Sequence, residues 1–386
     1  MPEAVIVSAL RTPVGTAGKG TLRDTTAFDL AEHVVGAVAR GLDPERIDDV
    51  ILGEGLYGGG VLARHAALTA GLTSIPGQAV NRHCAAGLTA VAGAAATIRA
   101  GMDDLVIAGG VNSASTAPKS RFRIDGEWVE PWMPPTHPDR PDAPNTDMSI
   151  TIGWNVAQRA GVSREEMDAW ALRSHRNAVR AIDEGRFDAE VVPVETPHGL
   201  FSVDEHPRRD TSLEKLAALK PLHPEIEGFT ITAGNACGGN DGAAALVVAS
   251  ESTAAAEGLP VLAVVRSWAN VGVDPAETGL SPVKAVPKAL ARAGLGTADV
   301  DLFEINEAFA SVAVAAVRLL GLDPDRVNVN GSGCSLGHPV AATGARMLVT
   351  LVHELRRRGG GIGVASMCAG GGMGSAMVVE VPAPLS

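Results

Sequence analysis

The chain contains a weak internal repeat, and a fold built from two similar halves is far more restricted than one built from unrelated segments. Residues 39–42 and 47–54 read as a helix end, a turn and a strand, and residues 291–295 and 300–305 read the same way. Each copy follows a stretch with helical spacing, residues 30–38 and 286–290. Further along, each copy offers an Asn-started turn entering a helix of small residues, 81–98 and 330–355, and then a short strand ending in glycines, 105–110 and 362–372. Similar apolar strands, residues 5–8 and 261–265, open the two halves. Strands alternating with helices imply an α/β protein with parallel or mixed sheets covered by helices. The expectation is two duplicated βα halves, each with its own central helix.

The two halves are separated by a change of composition. Residues 118–145 are crowded with Pro, Asp, Arg and Trp, including Pro131-Trp132-Met133-Pro134-Pro135. Proline fixes φ and removes a backbone donor, so this segment is expected as irregular loop. Helical spacing returns at 152–160 and 163–182, the second opening on Ser163-Arg164-Glu165-Glu166, a capping-box pattern. Asn240-Asp241-Gly242 is expected as a turn that delivers the chain into the apolar strand 243–250. The boundaries that follow are an N-terminal half at 1–117 completed by strand 243–250, a loop or lid domain at 118–242, and a C-terminal half at 251–386. A chain of 386 residues is long enough for such a plan.

Bulk properties exclude several classes. A formal charge of −12 argues against nucleic acid as a partner. The apolar stretch 85–98 is too short to span a bilayer, so no membrane association is expected. The N-terminus shows no basic and apolar signal pattern, and Pro384-Leu385-Ser386 is not a Ser-Lys-Leu peroxisomal address. Four cysteines without paired spacing suit a reducing compartment, and a cytoplasmic location is expected.

Four residues in tight Gly- or Ala-flanked motifs could carry chemistry. Cys84 stands in Asn81-Arg82-His83-Cys84-Ala85-Ala86-Gly87-Leu88, just before a helix whose N-terminal field would favour the thiolate. Taken alone, it could equally be a small buried hydrophobe. His338, in Gly337-His338-Pro339, occupies the matching place in the second half, and an imidazole is the usual partner of a reactive thiol. By itself it could cap a helix. Cys368 opens Cys368-Ala369-Gly370-Gly371-Gly372-Met373-Gly374, where glycines can expose N–H groups to an oxyanion, or simply form a flexible turn. Asn306 begins Asn306-Glu307-Ala308-Phe309-Ala310 after a strand, a place where capping is also common. Cys334, His338 and Cys368 lack zinc-like paired spacing, and no metal is expected. No dinucleotide fingerprint is present either.

Across nearly the whole chain these motifs resemble the thiolase family. The resemblance implies a five-layer α-β-α-β-α fold with an inserted loop domain over the active site. It implies Cys84 as the acylated nucleophile, His338 as its base, and Cys368 as the acid/base for the α-carbon or the leaving thiol. Two oxyanion sites are implied: an Asn306-held water with His338, and the backbone N–H groups of Cys84 and Gly370. Met148, Ala233, Gly234, Cys237, Ala308 and Phe309 match positions that contact the acyl-CoA. Coenzyme A enters as a substrate, no cofactor is implied, and a homodimer or homotetramer is expected. The implied reaction is reversible transfer of an acyl group between a 3-ketoacyl-CoA and coenzyme A. An acetoacetyl-CoA-specific biosynthetic acetyltransferase and a non-catalytic CoA-ester carrier are the alternatives. Ketoacyl-ACP synthases share the duplicated fold but usually pair Cys with two histidines. Three places depart from the commonest pattern: Cys237 replaces Ser, Asp147 precedes Met148 where short-chain enzymes carry His, and Gly109-Gly110-Val111-Asn112-Ser113-Ala114-Ser115 lacks the usual Glu and Met after the glycine pair.

Overall fold

The computed structural model describes residues 2–55, 60–131 and 133–383. Trp132 of the Pro-rich segment and the C-terminal Pro384, Leu385 and Ser386 lie outside the described residues.

The N-terminal half contains strands β1 (Ala4–Arg11), β2 (Gly15–Thr16), β3 (Asp49–Gly53), β4 (Gly77–Val80) and β5 (Leu105–Ser113), with helices α1 (Ala27–Val38), α2 (Leu62–Thr69) and α3 (Ala86–Arg99). The insertion carries the hairpins β6–β7 (Phe122–Ile124, Glu127–Val129) and β8–β9 (Val194–Thr196, Gly199–Phe201). Its helices are α4 (Asn155–Ala160), α5 (Arg164–Asp183) and α6 (Leu213–Ala217). Strand β10 (Asn240–Ser250) then returns to the N-terminal sheet, followed by α7 (Glu251–Ala256). The C-terminal half comprises β11 (Ala263–Gly272), α8 (Ser281–Ala293), β12 (Leu302–Ile305), α9 (Ala310–Leu320), α10 (Thr343–Arg357), β13 (Gly361–Ala369) and β14 (Met373–Val381).

The repeat is legible in the sheet itself. One half runs β1-β10-β5-β3-β4 and the other β11-β14-β13-β12. In both, the first two pairings are antiparallel and the third is parallel. The parallel pairing of β3 with β4 has a residual counterpart in the single parallel bridge between Phe303 and Val327. The halves meet along β1 and β11 through two residue pairs, Val5 with Val264 and Ile6 with Ala263.

Apolar burial builds the layers. Helices α3 and α10 share one core with the facing sides of both half-sheets, α1 and α2 cover the outer face of the first, and α8 and α9 cover that of the second. Both β5 and β10 are buried along their whole length, which explains their unbroken runs of apolar and small residues. Closeness of the two central helices depends on glycine. A Cβ on Gly87 would stand 2.7 Å from the Ala341 carbonyl oxygen, and one on Gly344 would stand 2.5 Å from the Leu88 nitrogen. The first turn of each central helix therefore touches the other.

Three expectations need correction. Asn240, Asp241 and Gly242 do not form a turn; they belong to β10 and pair with Thr16, Gly15, Ser113 and Asn112. Their polar side chains are used across the sheet, as when Asn240 Nδ2 donates to the Gly15 carbonyl at 3.1 Å. The strand thus begins three residues before its expected start at 243, inside the expected insertion. Second, the Pro-rich 118–145 segment is not wholly irregular, since Asp125 and Gly126 at positive φ turn the β6–β7 hairpin. Third, the helical stretch near 152 opens with a wider π-type coil over Ser149–Trp154 before α4. The capping box at α5 is present: Ser163 Oγ accepts from the Glu166 N–H at 3.2 Å and Glu166 Oε2 accepts from the Ser163 N–H at 2.9 Å. The insertion is tied to the core by buried Arg11, which donates to Glu190 at 2.6 Å and to both oxygens of Asp204 at 2.8 and 2.9 Å.

Candidate active site

Cys84 is set on a tight turn between β4 and α3. Asn81 Oδ1 accepts from the His83 N–H at 2.9 Å, and His83 takes φ of 46°, a conformation a non-glycine residue seldom adopts. The Ala85 and Ala86 N–H groups donate back to the Arg82 and His83 carbonyls, each at 3.0 Å. The helix starts only after Ala85, which offers no side-chain cap. Cys84 is partly exposed, and burial among apolar neighbours pushes its thiol up from the ordinary value. Hydrogen bonding from the Gly370 N–H and from its own N–H pulls the other way without winning. The expected lowering is not what results: Cys84 precedes the N-cap, and desolvation outweighs the two backbone hydrogen bonds.

His338 is almost wholly buried at the entrance of α10. Its N–H donates to Asn240 Oδ1 at 2.9 Å, and its Nδ1 lies 2.6 Å from Thr343 Oγ1. Thr343 donates its single hydroxyl proton to the Pro339 carbonyl at 2.9 Å. That arrangement is satisfied when Nδ1–H donates to Thr343, which leaves Nε2 as the free base. Asn306 Nδ2 stands 3.4 Å from Nε2. Burial, followed by the nearby Arg346 charge, lowers the imidazole to about 3, so it is neutral around neutral pH. Gly337 precedes it at φ of 103°, with no room for a Cβ beside Asn240.

Asn306 leaves the end of β12, its N–H donating to the Ser366 carbonyl of β13 at 3.0 Å. The side chain is fully buried, and its Oδ1 has no hydrogen-bond partner among the described residues. Cys368 lies two residues beyond Ser366 on β13, fully buried, and burial followed by proximity to Cys84 raises its thiol well above the ordinary range. Burial thus favours its neutral thiol form. The glycines after it are obligatory in part: Gly371 and Gly372 have φ of 83° and 76°, and a Cβ on Gly372 would stand 2.3 Å from the Val273 carbonyl oxygen. Thr136, from the Pro-rich segment, lies against Gly370 and Gly371, so the insertion reaches the glycine run directly.

The remaining expected residues form a second shelf. Cys237 donates its N–H to the Ala308 carbonyl at 3.0 Å, and Ala310 donates to the Asn235 carbonyl at 2.8 Å. The 233–237 loop is thereby stitched to the Asn306 loop, with Ala236 bridged to Phe309. Burial and the neighbouring Cys84 push the Cys237 thiol up to about 12. Phe309 packs where Gly153 leaves space, and Met148 lies against the same apolar cluster. Ala233 and Gly234 border a cavity of 120 Å³ that also carries Arg208 and Lys215. Among the described residues no group of three or more His, Cys, Asp or Glu side chains is placed to hold a metal ion.

Sequence reasoning did not single out Thr343, Asn240 or Glu307 as parts of this site. Thr343 and Asn240 touch His338 from five and ninety-eight residues away, and nothing local marks them. It also missed the partner of Asp147: His223 Nε2 lies 2.7 Å from Asp147 Oδ2, and His223 Nδ1 lies 2.7 Å from Glu225 Oε1. The Glu225 hydrogen bond and then the Asp147 charge raise the His223 pKa. The sign follows: a raised folded pKa stabilises below the ordinary value, and the contribution is lost as pH rises through the raised one. The melting-temperature deficit of His223→Gln relative to the native protein is therefore expected to be larger at about pH 6 than at about pH 9. An undiminished deficit at the higher pH would show that the charge pair contributes nothing.

Comparison with known proteins agrees with this geometry. Residues 4–252 match the family model described as thiolase, N-terminal domain, and residues 259–381 match thiolase, C-terminal domain. The chain is 43% identical over 402 residues to an acetyl-CoA acetyltransferase of Escherichia coli, covering 98% of this chain and 99% of that one. It is 42% identical over 405 residues to a 3-ketoacyl-CoA thiolase of Bacillus subtilis, covering 99% and 100%. The crystal structure of the Bacillus anthracis acetyl-CoA acetyltransferase superposes with a TM-score of 0.89 at 39% identity, covering 99% of each chain. That of human mitochondrial 3-ketoacyl-CoA thiolase gives 0.90 at 35% identity, again with 99% of each covered.

Proposed function

The chain belongs to the thiolase family and is an acyltransferase, and from that premise we propose that it cleaves 3-ketoacyl-CoA esters through an acyl group carried on Cys84. The observation that carries this reading is the meeting of Cys84 with the Gly370 N–H on one side of the site, and of Asn306 with His338 Nε2 on the other. His338 Nε2 takes the Cys84 proton as sulfur attacks the keto carbonyl, and the N–H groups of Cys84 and Gly370 receive the developing oxyanion. Carbon–carbon cleavage releases the acetyl-CoA carbanion, which Cys368 protonates. Coenzyme A then attacks the acyl-Cys84 thioester, Cys368 removing its thiol proton. The released shortened acyl-CoA leaves Cys84 to recover its proton from His338. Asn306 and His338 polarise the thioester carbonyl, with the unpartnered Asn306 Oδ1 suited to fix a water. In reverse, the same groups condense two CoA esters.

Coenzyme A is a substrate in this scheme, and no separate cofactor takes part. Arg208 and Lys215, beside Ala233 and Gly234, supply cationic groups suited to its phosphates. We further propose a homodimer or homotetramer, since β4 presents an unpaired sheet edge next to the Cys84 turn. Four free thiols favour a reducing compartment such as the cytoplasm. Among the described residues no helix is long and apolar enough to cross a membrane.

The test is coenzyme A-dependent cleavage of acetoacetyl-CoA beside a longer 3-ketoacyl-CoA. Turnover of the longer ester is expected, and the faster of the two identifies the acyl preference set around Met148 and Asp147. Tight binding of both esters without any acyl transfer to Cys84 would replace this reading with that of a CoA-ester carrier.

A further inference from the structure

Glu307 is the residue beside Asn306, and it is fully buried. An ionisable side chain placed there is costly unless its oxygens are well satisfied. Both are. Oε1 accepts from Trp170 Nε1 at 2.8 Å and from Asn328 Nδ2 at 2.8 Å. Oε2 accepts from Ser174 Oγ at 2.6 Å and from the Cys334 N–H at 3.1 Å.

These four donors come from three separate parts of the chain. Trp170 and Ser174 belong to helix α5 of the insertion. Asn328 braces the end of β12, accepting from the Ile305 N–H and donating to the Ile305 carbonyl, each at 2.8 Å. Cys334 stands four residues before His338, and Ser335 beside it bonds Ser174 at 2.7 Å. The Asn306 loop, the His338 approach and the insertion therefore converge on one carboxylate. Asn306 itself is held to His338 only by contacts of 3.4 and 3.5 Å, too long to define its orientation alone.

We propose that Glu307 is a positioning residue for the acyl transfer, holding Asn306 toward His338 by fastening its loop to α5 and to the His338 segment. The assignment rests on the thiolase reading of the site. It makes the docking of the insertion a condition for the Asn306–His338 arrangement, not only a cover over it.

Glu307→Gln keeps the shape and turns one acceptor oxygen into a donor, which then faces two donors. A double-mutant cycle with Asn306→Ala tests the role. Glu307→Gln is expected to lower kcat for acetoacetyl-CoA cleavage about tenfold or more with KM little changed, and less than about twofold in the Asn306→Ala background. Additive losses in the two backgrounds, or a kcat equal to that of the native protein, would overturn the proposal. Should Glu307→Gln not fold, Trp170→Phe removes a single donor, with an expected threefold or so loss in kcat that disappears in the same background. A native protein that turned over no CoA ester would overturn the functional reading, but the positioning would still be judged without substrate. The pH profile of Cys84 alkylation by iodoacetamide reads the thiol and its base directly. A shift in that profile on Glu307→Gln, absent when Asn306 is already alanine, supports the role; superimposable profiles overturn it.

Discussion

Replacing Cys84 with alanine is expected to reduce coenzyme A-dependent cleavage by about 10⁴-fold or more, because no other group in the site can carry the acyl chain. The remaining three thiols are poor substitutes. Cys334 and Cys368 are buried, and desolvation raises them and Cys237, whereas at Cys84 the Gly370 N–H works against that rise. The substitution should be tolerated structurally. Position 84 is partly exposed, it precedes two alanines, and the turn is closed by the Ala85 and Ala86 N–H groups, which the change leaves in place. An unchanged melting temperature together with loss of the acetyl adduct seen by intact mass would establish the nucleophile. Turnover above about one per cent of the native rate would rule it out.

His338→Asn is the second large effect, an expected fall in kcat of about 10²- to 10⁴-fold from loss of the base. The backbone bond to Asn240 survives the change, and asparagine retains a polar group toward Thr343. The fall should therefore appear in the rate of Cys84 acylation and not in the binding of the ester. Its pH dependence carries a separate signature. Because burial lowers His338 to about 3, the free base is fully populated throughout the working range. No activity loss from this imidazole is expected as pH falls through about 6.5, where an ordinary histidine would protonate. Nor does Cys84 begin as a thiolate, since its own pKa is raised. The two groups start neutral, and the proposed mechanism has them exchange a proton during attack. A native pH–rate profile with an acid limb near 6.5 that vanished in His338→Asn would contradict this ordering.

Much of this arrangement is visible in the residue pattern. The repeat predicted paired halves, and the sheet orders β1-β10-β5-β3 and β11-β14-β13-β12 repeat one another because each copy buries the same alternation of apolar strands and helices. The short motifs around Cys84, Asn306, His338 and Cys368 marked themselves by glycine and alanine, since only small residues allow two helix entrances to come within van der Waals contact. The capping box at Ser163 was equally plain, being local in sequence and in space.

What escaped the pattern was long-range or depended on desolvation. Asn240 looked like part of a turn because Asn-Asp-Gly favours turns in isolation. In the folded chain its amide spans from Gly15 to His338, and the sheet outweighs the local preference. The Cys84 thiol looked activated by a helix terminus; burial reversed the direction. Glu307 looked like no more than part of the Asn306 motif, and Asp147 like a bare departure from a familiar pattern. Their partners, Trp170 and Ser174 for one and His223 for the other, come from distant segments that only folding assembles.

By itself, then, the sequence determined the duplicated architecture and marked the candidates for the reactive groups, because periodicity and small-residue motifs act locally. Tertiary structure alone decided their protonation, their orientation and the coupling of the insertion to Asn306. Those properties arise from burial and from hydrogen bonds between residues far apart in the chain, and no local pattern encodes either.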